Sequence, residues 1–343
     1  MSKFRYKVNN LQYIKNNNMI PLIEFTPKTQ KEEIIKIMKI LIISNYNIVS
    51  LSFTKCNIGI NSIFSINPFL LLGSFLSTTQ TLESLSITYD NINLDLLAEI
   101  IMKNTTLTEL DLTNSISDSS YDKFITMLET NTNITKLNLS CNYLYNYTFL
   151  LLNKMLKINN TITDLIIRNV SYCEFLYYGR TQFIMDAITK SNTLKKLDMS
   201  NNYFDDGIDS IISHMIQYNK CITTLDFSYT NMNINEIDII INSMKDYNTS
   251  ITKINLQQTD INNYDMYNII CCLEKRNIAI YNRKLLSYWN YPMDIILFGG
   301  KHFYNIIITV ILCNNSNIIK ITNELLIYIF EFFTISDVKK LIF

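Results

Sequence analysis

The side chains able to perform acid–base or metal chemistry are few and scattered in this sequence. Only two histidines are present, His214 and His302, and neither lies in a metal-binding spacing. Asp205 and Asp206 form a carboxylate pair at the expected start of a helix, where negative charge stabilises the helix terminus. The six glycines are too dispersed to make a phosphate-binding loop. The sequence therefore predicts a protein that is not an enzyme, with no cofactor and no metal site.

Composition narrows the class of partner. Thirty Lys and Arg balance thirty Asp and Glu, so the chain lacks the basic footprint of a nucleic-acid-binding protein. Seven cysteines, an odd number without any Cys-x-x-Cys pair, favour reduced thiols and a cytoplasmic location. The longest apolar run near the end, residues 306–313, is too short to cross a bilayer and is expected to be a buried helix. We therefore expect a protein partner, and neither nucleic acid nor membrane.

A repeated spacing of apolar residues organises most of the chain. The pattern is L-x-x-L-x-L-x-x-N/C-x-L, and Leu194, Leu197, Met199, Asn202 and Phe204 fit it completely. Matches begin at residues 48, 82, 107, 134, 162, 194, 222 and 251. Counted from the first apolar residue, positions four and six predict a strand with inward-facing side chains. The polar residue at position nine is expected to be buried at a bend, where it pairs with backbone groups.

The second half of each unit has helical periodicity. Ile208, Ile211, Ile212 and Met215 fall at i, i+3, i+4 and i+7. One strand and one helix in about 28 residues resembles the ribonuclease-inhibitor-like class of leucine-rich repeats, over residues 47–277. The resemblance implies an α/β horseshoe solenoid with a parallel sheet on the concave side and helices on the convex side. Strands are expected near 49–53, 83–87, 108–112, 135–139, 163–167, 195–199, 223–227 and 252–256.

Two units depart from the pattern at position nine. In the third unit Asn114 comes one place early and Ser115 occupies the slot. In the fifth unit Val170 occupies it and has no side-chain hydrogen-bonding group. The loop that follows, at 171–180, is long and rich in aromatic residues. Two interpretations stay open, an irregular bend packed by its own aromatics and a protruding binding loop.

The middle of each strand, position five, is expected to point outward from the concave sheet. The residues of this column are Ser52, Ser86, Asp111, Asn138, Ile166, Asp198, Asp226 and Asn255. Three Asp and no Lys or Arg predict a locally acidic inner face, flanked by Lys136, Lys195, Lys196 and Lys253. Tyr89 and Tyr229, near strand ends, are candidate anchors because tyrosine is enriched at interface hot spots. The alternative is a solvated face without one preferred ligand.

The flanking segments do not follow the pattern. Residues 1–46 are expected to cap the array, with an amphipathic helix over 31–43, because a solenoid must cover its exposed end. Residues 278–320 include Trp289, Pro292 and two adjacent glycines, which predicts a linker with one or two helices.

The last segment, 321–343, carries a second resemblance. Its motif residues are Glu324, Leu325, Ile329, Phe330, Phe332, Phe333, Asp337 and Leu341. They resemble the opening of an F-box, although Ile321-Thr322 replaces the usual Leu-Pro and the match ends about halfway through the motif. A shortened F-box after a repeat array is similar to the C-terminal module of poxvirus ankyrin-repeat proteins. With the bias toward Asn, Ile, Tyr and Lys, this suggests a large AT-rich DNA virus or a similarly AT-rich intracellular microbe, hence host cytoplasm if viral.

Two functions follow from these resemblances. In the first, the concave face holds a protein target while the tail docks a Skp-type adaptor of a cullin–RING ubiquitin ligase. In the second, the chain is a scaffold or sequestering binder without a ubiquitin link, and its tail is an apolar helix packed on residues 293–312. The difference is whether residues 321–341 present an exposed apolar face.

Overall fold

The computed structural model describes residues 19–280, apart from 45–46, 59–67, 117–120, 171–179, 205–206, 249, 258, 260–269 and 279. The predicted linker beyond residue 280, the tail at 321–343, His302 and the aromatic part of the 171–180 loop lie outside the described residues.

Nine parallel strands form one open sheet in sequence order. The strands β1 to β9 are Met19–Phe25, Asn47–Thr54, Ser84–Thr88, Glu109–Asp111, Lys136–Asn138, Asp164–Ile166, Lys196–Asp198, Thr224–Asp226 and Lys253–Asn255. All eight predicted strands are confirmed, and consecutive units pair in the same register. Position four aligns from Leu51 to Leu85 and onward to Ile254, and each of these side chains is at most 7% exposed. The fold is a leucine-rich-repeat solenoid.

One helix covers the sheet after each of the first eight strands. The helices α1 to α8 are Lys31–Ser44, Pro68–Thr78, Leu94–Ile101, Asp122–Thr130, Asn146–Ile158, Arg180–Lys190, Ile208–Tyr218 and Ile234–Asp246. Their apolar stripes pack on the strand residues to form one continuous core. In α7 the buried face is Ile208, Ile212, Met215 and Ile216, and Ile211, predicted to lie on it, is only partly buried. Within the described ranges, no helix is both long and apolar enough to span a bilayer.

Strand β1 and helix α1 form a further unit that the sequence analysis missed. The predicted cap helix is present, but the strand before it pairs in parallel with β2, with Ile23 beside Leu51 and Phe25 beside Phe53. The two phenylalanine rings stack with centroids 4.9 Å apart. The position-nine slot of this unit is the exposed Lys28, so the buried polar residue found in most of the other units is missing.

Polar residues at position nine hold the bends after the strands together. Asn202 donates to the carbonyls of Ile167 and Met199 and accepts from the backbone of Val170. Asn142 bridges the third and fourth units in the same way. Ser115 fills the slot of the third unit fully buried, where its hydroxyl donates to the Ile87 carbonyl.

A second ladder of buried asparagines lies at the opposite edge, where helices pass into strands. Its members stand three residues before the first apolar position: Asn104, Asn159, Asn219 and Asn248. Each side chain donates to a carbonyl of the preceding unit and accepts from two backbone amides of its own turn, as Asn219 does with Ile188, Cys221 and Ile222. Bridges of this kind satisfy backbone groups that the turn leaves unpaired.

Position eight has left-handed backbone geometry in unit after unit. The residues are Lys55, Tyr89, Asn114, Cys141, Asn169, Asn201 and Tyr229, with φ between 48° and 58°. Asparagine tolerates this region best among the non-glycine residues, whereas tyrosine adopts it at a cost in free energy. The left-handed residue turns the chain from the strand toward the helix.

Two side chains from the helical residues 270–278 bond to backbone groups of the last described strand and of helix α8. The helical residues 270–278 follow β9, and the Glu274 carboxylate accepts a hydrogen bond of 2.6 Å from the Ile254 amide. The Arg276 guanidinium donates to the carbonyls of Met244 and Lys245 near the end of α8.

Candidate protein-binding face

The position-five column runs unbroken along the concave side. Ser52 pairs with Ser86, Ser86 with Asp111, and the register continues to Asn255. Each predicted side chain of the column is half-buried, because it stands on the sheet and leans on its neighbours. Glu24 on β1, which the sequence analysis did not include, extends the column by one strand.

Four members of the column are fixed by local turns. Asp111, Asn138, Asp198 and Asp226 each use one oxygen to accept from the backbone amide and the hydroxyl of the residue two places later. The hydroxyl distances are 2.6 to 2.7 Å. These side chains therefore have one orientation, and each aspartate has its second oxygen left over, whereas Asn138 has its amide nitrogen.

Basic residues on neighbouring strands offset part of the predicted acidic character. Arg168, at position seven of the fifth unit, holds the second oxygen of Asp198 through two guanidinium nitrogens. The Asp198 hydrogen bond raises the pKa of Arg168. At position three, Lys136 lies 3.6 Å from Glu109 and Lys196 lies 2.9 Å from Asp164.

Asp226 is in a different electrostatic environment from Asp198. Its second oxygen accepts from the Asn255 amide at 3.0 Å. Over the described ranges, neither Asp226 nor Asp111 has a Lys or Arg nitrogen within ion-pair distance, as the pairs on this face involve other carboxylates. The charge left for a partner on β4 to β8 is therefore acidic, at these two positions.

Strands β2 and β3 present hydroxyl groups and no charge. Ser50, Ser52 and Thr54 pair in register with Ser84, Ser86 and Thr88. The Thr88 hydroxyl lies 3.3 Å from that of Thr54. This patch can donate and accept hydrogen bonds in any arrangement that a partner imposes, because hydroxyl hydrogens rotate.

The two predicted anchors, Tyr89 and Tyr229, lie beside the concave column rather than in it. Both occupy the left-handed position eight, and they are 53% and 60% exposed. Sequence reasoning missed further exposed tyrosines at the same strand-to-helix edge: Tyr143, Tyr145, Tyr147 and Tyr203. The Tyr147 hydroxyl donates to Asp122 at 2.7 Å, and this hydrogen bond raises the pKa of Tyr147.

The remaining candidate residues are the histidines and the tail. His214 is an exposed residue of α7, and its ring centroid is 4.5 Å from that of Tyr218. In the part of the chain that the structure describes, no three His, Cys, Asp or Glu side chains are grouped to hold a metal ion. All eight tail residues, from Glu324 to Leu341, lie outside the described residues.

Comparison with known proteins gives similarity to leucine-rich-repeat structures at low identity. No protein-family model matches the sequence, and no curated protein matches it. The leucine-rich repeat-containing protein LegL7 from Legionella pneumophila is 18% identical, covering 74% of this chain and 80% of that chain, with a TM-score of 0.47. An internalin from Listeria monocytogenes is 16% identical over 68% of each chain, with a TM-score of 0.38. Actin-binding site 2 of leiomodin-1 is 16% identical, covering 50% of this chain and 98% of that chain, with a TM-score of 0.43.

Proposed function

We propose that this chain is a protein-interaction module whose concave face holds a protein target. The observation that carries this function is the continuous, in-register surface formed by positions three and five of nine parallel strands. Local turns and cross-strand pairs fix many of these side chains before any partner arrives. Fixed side chains lose little conformational entropy on binding, which favours recognition of a protein surface.

The acidic positions of the column supply the test of this function. Replacing Asp198 and Asp226 together by Lys should weaken target binding and leave the circular dichroism spectrum unchanged, because both side chains lie on the surface of the sheet. Affinity purification followed by mass spectrometry identifies the target. The affinity of this target is then measured for the parent chain and for the double variant. Asp238→Lys with Asp246→Lys is the matched control, since both residues are exposed on α8. If the target binds the concave variant as tightly as the parent chain, the concave site is wrong.

The finer proposal concerns the tail at 321–343. The F-box-like motif supports a substrate receptor that recruits its target to a cullin–RING ubiquitin ligase through a Skp-type adaptor, in the cytoplasm of a cell that hosts an AT-rich virus or microbe. Leu325, Ile329 and Phe332 or Phe333 would dock as one apolar stripe at helical spacing. Leu325→Asp with Ile329→Asp should then abolish adaptor co-purification while the repeat array stays folded.

The alternative function is a scaffold or sequestering binder without a ubiquitin link. The replacement of Leu-Pro by Ile321-Thr322 favours it, because the start of the F-box motif is altered there. Two results would support this function. The parent chain would co-purify with its target but with no adaptor, and the repeat array would unfold in the variant that combines Leu325→Asp and Ile329→Asp.

A further inference from the structure

The aromatic side chains that could anchor a partner lie beside the concave face and not on it. Positions three, five and seven of β1 to β9 carry no Tyr, Phe or Trp, and Ile166 is the one apolar residue in the position-five column. Within the part of the chain that the structure describes, six exposed tyrosines instead follow the ends of the strands, where they pass into the helices. We name this set the tyrosine edge: Tyr89, Tyr143, Tyr145, Tyr147, Tyr203 and Tyr229, each at least 53% exposed.

Two members of the tyrosine edge occupy a backbone position that suits asparagine better. Tyr89 and Tyr229 have φ of 55° and 57°, while Asn114, Asn169 and Asn201 adopt the same geometry in other units. More than half of each tyrosine is exposed, and neither ring belongs to the buried core. The folding of the array alone therefore does not account for tyrosine at these positions.

Two carboxylates at or near the tyrosine edge have no ion-pair partner among the described residues. Asp122 accepts from the Tyr147 hydroxyl, and Asp226, the last residue of β8, stands three residues before Tyr229 in the sequence. Among the described residues, no Lys or Arg nitrogen lies within ion-pair distance of either carboxylate, whereas Lys136, Lys196 and Arg168 are already paired with acids. An exposed aromatic ring beside a carboxylate that has no ion pair, as at Tyr147 and Asp122, suits a guanidinium group, which stacks on the ring and binds the acid.

We propose that the tyrosine edge anchors the protein target through arginine side chains of that target. This inference rests on the proposed function and adds where the binding energy lies and which chemistry the partner brings. Tyr89 and Tyr229 are separated by five inter-strand steps, about 24 Å at ~4.8 Å per step. That span fits a cluster of arginines on one face of a protein rather than a single contact.

The test uses the full chain and three labelled peptides of equal length, in which Arg, Lys or Glu alternates with Gly and Ser. Binding is measured by fluorescence anisotropy. The edge variant combines Tyr89→Asn, Tyr143→Asn and Tyr229→Asn, which keeps a residue suited to the left-handed turn at two of the three sites. The control combines Tyr218→Asn and Tyr247→Asn, because these tyrosines are 58% and 54% exposed at the opposite edge. Circular dichroism checks the fold of each variant.

The parent chain should bind the Arg peptide more tightly than the Lys peptide and the Glu peptide least. The edge variant should lose about tenfold or more of its affinity for the Arg peptide, as three exposed cation–π contacts are removed. The control should bind like the parent, and a triple Tyr→Phe variant at the edge positions should retain binding, because the ring and not the hydroxyl makes the contact.

The proposal is overturned if the Arg peptide does not bind the parent, if the Glu peptide binds better, or if edge and control variants lose affinity equally. None of these results tests the concave site itself. If the target no longer binds after charge reversal at Asp198 and Asp226 but still binds the edge variant, the proposed function stands and only the arginine proposal fails.

Discussion

Two regions of the sheet share one backbone geometry and one core, yet present different surfaces: strands β2 and β3, and strands β4 to β8. The first pair offers six hydroxyls in register, and the second set offers carboxylates, lysines and an arginine. The apolar positions beneath them are buried equally, as Leu85 and Leu197 show at 0% and 1% exposure. The comparison indicates that positions four, six and nine determine the fold, while positions three and five are available for recognition.

The largest expected effect is on the core that both regions share. Leu197→Ala and Leu85→Ala should each lower the free energy of unfolding by about 2–5 kcal/mol, because each opens a cavity between neighbouring units. Urea titration followed by circular dichroism measures the loss. A loss below about 0.5 kcal/mol for either variant, the range of surface changes, would show that the two regions do not share one core.

Substitutions at position nine should lower the free energy of unfolding by different amounts in the two regions. Asn142→Ala should lower the free energy of unfolding by about 1–3 kcal/mol, since it leaves carbonyls of Leu112 and Leu139 without their donor. Cys56→Ala in the hydroxyl region should lower it less. The Cys56 thiol, whose pKa burial raises to about 11, remains protonated and donates only weakly to Thr54 at 3.3 Å. Equal losses in the same titration would contradict this ranking.

The smallest effect concerns the charge pairs that only the second region carries. Arg168→Met should lower the free energy of unfolding by about 0–1 kcal/mol, because the guanidinium is half exposed and its attraction to Asp198 is screened by water. The loss should shrink in 1 M salt, where the Debye length falls to about 3 Å. Ser52→Ala, in the hydroxyl region, is the control and should show no dependence on salt. A salt-independent loss for Arg168→Met would mean that packing, not charge, holds this pair.

Periodicity predicted the strands, the helices and the position-nine ladder because these depend on spacing within one unit. The first unit was missed, since Lys28 stands where the template requires a buried polar side chain. The second ladder had a sequence signal, an asparagine three residues before the apolar start, as at Asn219 and Asn248. The pairing of Arg168 with Asp198 joins residues 30 apart in sequence, so it depends on the register between strands. The tyrosine edge was found only in part, because the missed tyrosines lie past position nine, where the spacing of the pattern does not predict exposure: Tyr143, Tyr145, Tyr147 and Tyr203.

The central claim is that the concave strands, and not the helices, hold a protein target. Site-specific photo-cross-linking tests it directly, with one photoreactive residue placed at Ser52, Asn138 or Asp226 on the concave face, or at Asp238 on the convex helix α8. We expect the three concave positions to cross-link to one target and the α8 position not to do so. Cross-linking from Asp238 alone, with none from the three strands, would contradict the account.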